Sequence, residues 1–279
     1  FRTMALNMPD ETDSISVNMI TDNFNLSVFN DFLDKQYLNR LRGVLNADIN
    51  IEGTTNTLTP KGYFRLQNGQ ISVPIAGIKL TGITSELNFS QSGLQLSQLS
   101  ARSGSGSFSA SGNIDLEGIV PTNLDITAKA NRFRLANTSD YNLTIDLDSK
   151  LTGKPTQPKA SGELRVKNGF VFLQDFGEKS VETIELEGEE TSSFSAYDSL
   201  AMDMRFVIER NFLIRNSRYL DLEIALTGEL DAQKQRSEDL QLFGTLDAQR
   251  GYVRPLGKQF TLDEGTFTFS GPVEEPDLF

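Results

Sequence analysis

The densest run of chemically capable side chains lies between Asp175 and Glu190, where Asp175, Glu178, Glu182, Glu185, Glu187, Glu189 and Glu190 face one cation, Lys179. Carboxylates in that number could ligate a hard cation such as calcium, or a pair could act as acid and base on a glycosidic bond. Neither pattern is complete. No DxDxDG loop occurs, and each acidic pair has an equally good place on a solvated strand face, so the segment reads as an acidic strand and loop. The SGSGS run at Ser103–Ser107 lacks the GK[ST] ending of a phosphate loop and reads as a flexible hairpin.

What is absent narrows the chemistry further. The 279 residues contain no His, no Cys and no Trp. That removes the Ser-His-Asp triad, the Cys nucleophile, zinc held by nitrogen or sulfur, and the usual haem and iron–sulfur ligation. No enzyme activity, metal or cofactor is expected. Lys and Arg number 26 against 38 Asp and Glu, a formal charge of −12. Counterion release would then oppose binding to DNA or RNA, so nucleic acid is not expected as a partner. No apolar run approaches the ~18 residues of a membrane-spanning helix, and the first residues lack the basic and apolar regions of a signal peptide.

The elements that must carry any site are strands. LDITAKA sets Leu124, Ile126, Ala128 and Ala130 against Asp125, Thr127 and Lys129. YNLTIDLDS repeats the pattern through Tyr141, Leu143, Ile145 and Leu147, AMDMRFVIE through Met202, Met204, Phe206 and Ile208, and LDLEIALTGEL through Leu220, Leu222, Ile224 and Leu226. Period-two alternation means strands with one apolar and one wet face. The phase breaks in FVIERNFLI around Glu209–Asn211, where a bulge is expected. One segment departs: FNDFLDKQYLNRLRG spaces Phe29, Phe32, Leu33, Tyr37 and Leu41 helically and meets Gly43, predicting a short amphipathic helix over 29–41 that covers a sheet edge or offers a docking surface.

The octapeptide GYFRLQNG at Gly62–Gly69 recurs as GELRVKNG at Gly162–Gly169 and GTLDAQRG at Gly244–Gly251. Each holds a glycine, apolar residues at its third and fifth positions, a polar pair and a second glycine, and each is followed by another strand-like run. Gly62, Gly69, Gly162, Gly169, Gly244 and Gly251 are therefore expected as repeat turn glycines, the second of each pair marking a tight reversal or a bulge. The repetition divides the chain into unit 1 over 43–140, unit 2 over 141–219 with its acidic loop at 175–190, and unit 3 over 220–279. The units form one elongated array over 1–279.

Within residues 200–279 the run RGYVRPLGKQFTLDEGTFTFSGPVEEPDL resembles the C-terminal domain of the TamB family, in the wider AsmA-like group of bacterial envelope proteins. Arg250, Gly251, Tyr252, Gly257, Phe260, Leu262, Gly265, Phe267, Phe269, Gly271, Pro276 and Leu278 stand where that family has an RGxY turn, a phenylalanine strand, a glycine and a closing FxFxG. Upstream strand pairs, and the helix followed by RGVLNADINIEG, resemble the family's repeats more loosely. The family pattern continues past the position of Phe279, so the resemblance implies a chain truncated before the family C-terminus.

The resemblance implies an all-β fold, an elongated curled sheet or β-taco with an apolar trough. It implies a periplasmic segment of a Gram-negative protein anchored in the inner membrane by an N-terminal helix outside this chain. It also implies phospholipid acyl chains as cargo between inner and outer membranes in outer-membrane biogenesis, and an Omp85-type outer-membrane barrel as partner, reached through the family C-terminus. The expected trough lining is Met202, Met204, Phe206, Ile208, Leu220, Leu222, Ile224, Leu226, Phe260, Leu262, Phe267 and Phe269, with Arg205, Asp221, Glu223 and Asp263 pointing outward. The alternatives are a two-sheet sandwich closing over the apolar face, a periplasmic scaffold assisting outer-membrane protein assembly with an Omp85-type barrel, and a polysaccharide-binding β-helix. Repeats 82 to 100 residues apart are too long for β-helix coils, and zero Trp argues against a transmembrane barrel.

Overall fold

The structure, a computed structural model, describes residues 14–54, 57–91, 93–172, 196–216, 221–272 and 277–278. The chain folds into one large curled all-β sheet. Its strands are β1 (Ser14–Asn25), β2 (Asn39–Thr54), β3 (Thr59–Val73), β4 (Ile78–Ser90), β5 (Gly93–Ser103) and β6 (Gly106–Glu117). They continue with β7 (Val120–Asn137), β8 (Tyr141–Lys154), β9 (Gln157–Phe172), β10 (Ala201–Asn216) and β11 (Leu222–Lys234). β12 (Gln241–Val253), β13 (Phe260–Leu262), β14 (Gly265–Pro272) and β15 (Asp277–Leu278) complete the set.

All 15 strands belong to a single sheet, each hydrogen-bonded to the next in chain order except that β12 pairs with both β13 and β14. Every pairing is antiparallel except β9 with β10. A parallel neighbour needs a crossover rather than a hairpin; the acidic segment expected at 175–190 falls in that link, outside the described residues. With one sheet and no second layer of strands among the described residues, the sandwich is ruled out.

The helix expected over 29–41 does not form. A 3₁₀ turn covers Leu26–Asp31, and β2 has begun by Asn39. The reason is local competition by short polar side chains for backbone groups. The Asn25 carboxamide accepts the Ser27 N–H, and Asp34 accepts the Gln36 N–H. The Asn30 carboxamide accepts from the Leu41 N–H and donates to the Leu41 carbonyl, both at 2.8 Å. It thus serves Leu41 as a strand partner would, so the apolar spacing of the segment is spent on a loop against the end of β2.

The repeat glycines are also placed differently from the turns expected of them. All six lie inside strands β3, β9 and β12. Beside the second glycine of each octapeptide the register shifts, so the feature there is a bulge and the strand runs on through it. A bulge and a reversal break alternation identically in sequence, which is why spacing alone left both open. The first glycine has a packing role. Gly162 has φ +134, and a Cβ there would stand 2.2 Å from the Asp148 carbonyl oxygen of the neighbouring strand. Gly62, at φ +121, meets the Asp48 carbonyl at 1.9 Å in the same way. The bulge expected near Glu209–Asn211 is present: register shifts between Ile208 and Phe212 against both neighbouring strands.

Candidate functional site

Residues directly opposite one another in adjacent strands share a face, so the register traces each face across the sheet. From β2 to β10 one row runs Ala47, Phe64, Leu87, Leu96, Gly112, Ile126, Leu151, Ala160 and Met202. A parallel row through β8–β14 runs Leu147, Leu164, Phe206, Leu230, Gly244 and Phe269. The apolar residues thus form one surface continuous over the sheet. At the ~4.8 Å strand spacing, its strand-by-strand length is about 60 Å.

Along β2–β9 that surface is half-buried: Phe64, Leu87, Ile126, Leu147 and Leu151 are neither sealed in a core nor flat in solvent. Packing is densest near β10–β14, where Leu226, Leu230, Leu246 and Ala248 are buried together and Phe206, Ile208, Ile224, Leu262, Phe267 and Phe269 pack against them. Met204 and Leu222 are buried too, and Met202 is half-buried. Ten of the twelve expected lining positions therefore belong to this cluster, pack against it or flank it on the same strands. Phe260 stands on β13 opposite Val253 with 60% of its surface exposed. Leu220 lies outside the described residues.

The other face is polar and pairs its charges across strands. Lys129 meets Asp148 at 2.7 Å, Arg65 meets Glu86 at 3.1 Å, Arg215 meets Glu223 at 2.8 Å and Arg254 meets Asp221 at 2.8 Å. Arg205 pairs across strands with Glu229, whereas Arg165 pairs along its own strand, β9, with Glu163. These hydrogen bonds raise the pKa of Arg165, Arg205 and, through Glu209, Lys167 above their ordinary values. The wet-face residues Arg205, Asp221 and Glu223 are thus in cross-strand ion pairs, and Asp263 is exposed. No cluster of metal-ligating side chains occurs among the described residues.

Spacing arguments concentrated on the last third of the chain and passed over Phe64, Leu87, Leu96 and Leu151 as lining, and Phe212, Leu230, Leu246 and Ala248 as the packing centre. The signal was the same alternation, read there as strand but not joined into a face, because bulges shift the odd-even count between neighbouring strands. No curated protein and no solved structure matches the chain. A family model, the TamB C-terminal domain, matches residues 97–278.

Proposed function

Because the chain belongs to the TamB family, we propose that its apolar face is a groove carrying phospholipid acyl chains across the periplasm between the inner and outer membranes. The family works in the Gram-negative envelope and with Omp85-type partners generally. On this reading the chain is a non-enzymatic conduit that supports outer-membrane biogenesis.

The observation that carries it is a continuous apolar surface over a sheet with no second layer among the described residues. Such a surface needs something apolar to cover it. Each methylene removed from water contributes about 0.8 kcal/mol, so one phospholipid tail gains on the order of 10 kcal/mol before entropy is counted. The contact is non-directional, so neighbouring rows are near-equivalent resting places and a tail slides between them. A few fixed polar groups would instead hold a ligand in one pose.

The test places a photo-crosslinking residue at Phe206 or Leu222, with Arg205 and Glu223 as wet-face controls, and analyses covalent adducts formed in cells. Phospholipid adducts at the first pair alone are expected. Equal labelling on both faces, or none from a folded protein, would sink the conduit and leave a scaffold for outer-membrane protein assembly.

A further inference from the structure

We propose that one rim of the groove, where β2–β7 end near Arg102, binds the phosphodiester headgroups of the lipids whose tails lie on the apolar face. The inference rests on the groove reading and adds a polarity to it. Six cations stand exposed at that end of these strands: Arg40, Arg42, Lys79, Arg102, Arg132 and Arg134. None of their side chains has an ion pair among the described residues, whereas Arg65, Lys129 and Lys150, farther from this rim, are all paired. The last turns of β3–β7 toward this rim, 67–73, 78–84, 99–103, 106–110 and 131–137, contain no Asp or Glu. The opposite ends of β2, β6 and β7 carry Glu52, Asp115, Glu117 and Asp125. A chain of charge −12 has therefore gathered six cations without ion pairs along this one edge of β2–β7, while Lys61 and Lys154 stand exposed at the opposite edge.

The backbone draws these cations together. The β5–β6 hairpin turns early, between Ser103 and Gly106, and its neighbours converge beyond it. Ser103 donates its hydroxyl to the Arg134 carbonyl at 2.6 Å, from β5 to β7 past the end of β6. The β3–β4 turn reaches the end of β7, where a Cβ on Gly77 would lie 2.0 Å from the Asn137 carbonyl oxygen. Lys79, Arg102, Arg132 and Arg134 thus sit on converging strands. The nearest acids bound the patch without filling it: Asp146 accepts the Arg132 backbone N–H and pairs with Lys167, while Asp31, Asp34 and Asp140 lie in the flanking connections.

Gathered like charges repel, and an anion that joins them relieves the cost. Beside Arg102 the polar face dips into a concavity of about 700 Å³. Its walls carry the hydroxyls of Thr84, Ser100, Ser107 and Ser109, with the Arg65–Glu86 pair on the far side. Guanidinium forks and hydroxyl donors are what phosphate oxygens take. Exposed Ile75 and Leu135 stand at the same rim, suited to the apolar stretch just below a headgroup.

Two otherwise identical phospholipids, one with a photoactivatable group in its tail and one in its headgroup, separate this inference from its premise. The full chain is incubated with phosphatidylethanolamine–phosphatidylglycerol vesicles carrying either probe, and the labelled peptides are mapped. Headgroup adducts are expected on 73–79, 102–106 and 132–141, falling about five-fold for each of R102Q, R132Q and R134Q. Tail adducts on the apolar face should persist in these variants, which shows that they fold, and R102K should keep most headgroup labelling. K61Q and K154Q, on the other rim, should change nothing. Headgroup labelling of both rims alike, or indifference to the arginines while tails still label the apolar face, overturns the rim and leaves the groove. Absence of tail labelling from the apolar face overturns both.

Discussion

At Gly162 the neighbouring strand comes so close that any side chain would be driven into the Asp148 carbonyl, and φ +134 is strained for every residue but glycine. Gly162→Ala is therefore expected to cost ~3 kcal/mol, read as a lowered urea midpoint. The wet face should behave differently. Arg205→Ala removes a visible ion pair with Glu229, yet both side chains are about half exposed, at 51% and 55%. Exposed pairs of this kind contribute less than about 1 kcal/mol, so the midpoint should hardly move. If the order of the two effects were reversed, the sheet would be held by its charges rather than by close backbone packing.

Bulges are the element-scale device that reconciles an irregular sequence with a regular face. In β12, Leu226 faces Ala248 while Ala225 faces Arg250, so Gln249 is the extra residue. Removing Gln249 leaves Leu246, Ala248 and Gly251 all on the apolar side, and the deletion should fold with a loss of about 1 kcal/mol. Removing Asp247 instead obliges the strand to absorb the change at its bulge. Ala248 then turns outward and the Gln249 carboxamide turns onto the apolar face, at a cost of ~2–3 kcal/mol or more. Two single-residue deletions two positions apart should thus have separate melting temperatures, the second clearly lower. Equal effects would mean that β12 does not keep its register by this bulge.

At the scale of the whole molecule, each strand touches chiefly its sequence neighbours, so the sheet is a stack that grows one strand at a time. Much of that was legible beforehand. The alternation of LDITAKA and AMDMRFVIE fixed strands and their faces, and the three octapeptides announced a modular sheet. The phase break at Glu209–Asn211 announced a bulge. Two things were not legible. Apolar spacing at Phe29–Leu41 mimicked a helix because spacing carries no record of what Asn30 bonds to, and the second octapeptide glycines could not be told from turns because both interrupt alternation. The basic rim was invisible for another reason: Arg40, Lys79, Arg102 and Arg134 are far apart in the chain and are brought to one end of the sheet only by strand register.

The early turn of the β5–β6 hairpin acts as a dart does in cloth. Taking in material along one margin leaves the two margins of the sheet unequal in length, and a ribbon with unequal margins bows toward the shorter one. The long axis should therefore arc toward the rim that carries Arg102. Inserting two residues between Gly104 and Ser105 would lengthen that margin and is expected to straighten the arc, raising the maximum dimension in small-angle X-ray scattering. An unchanged scattering profile would show that the arc is set by the bulges instead.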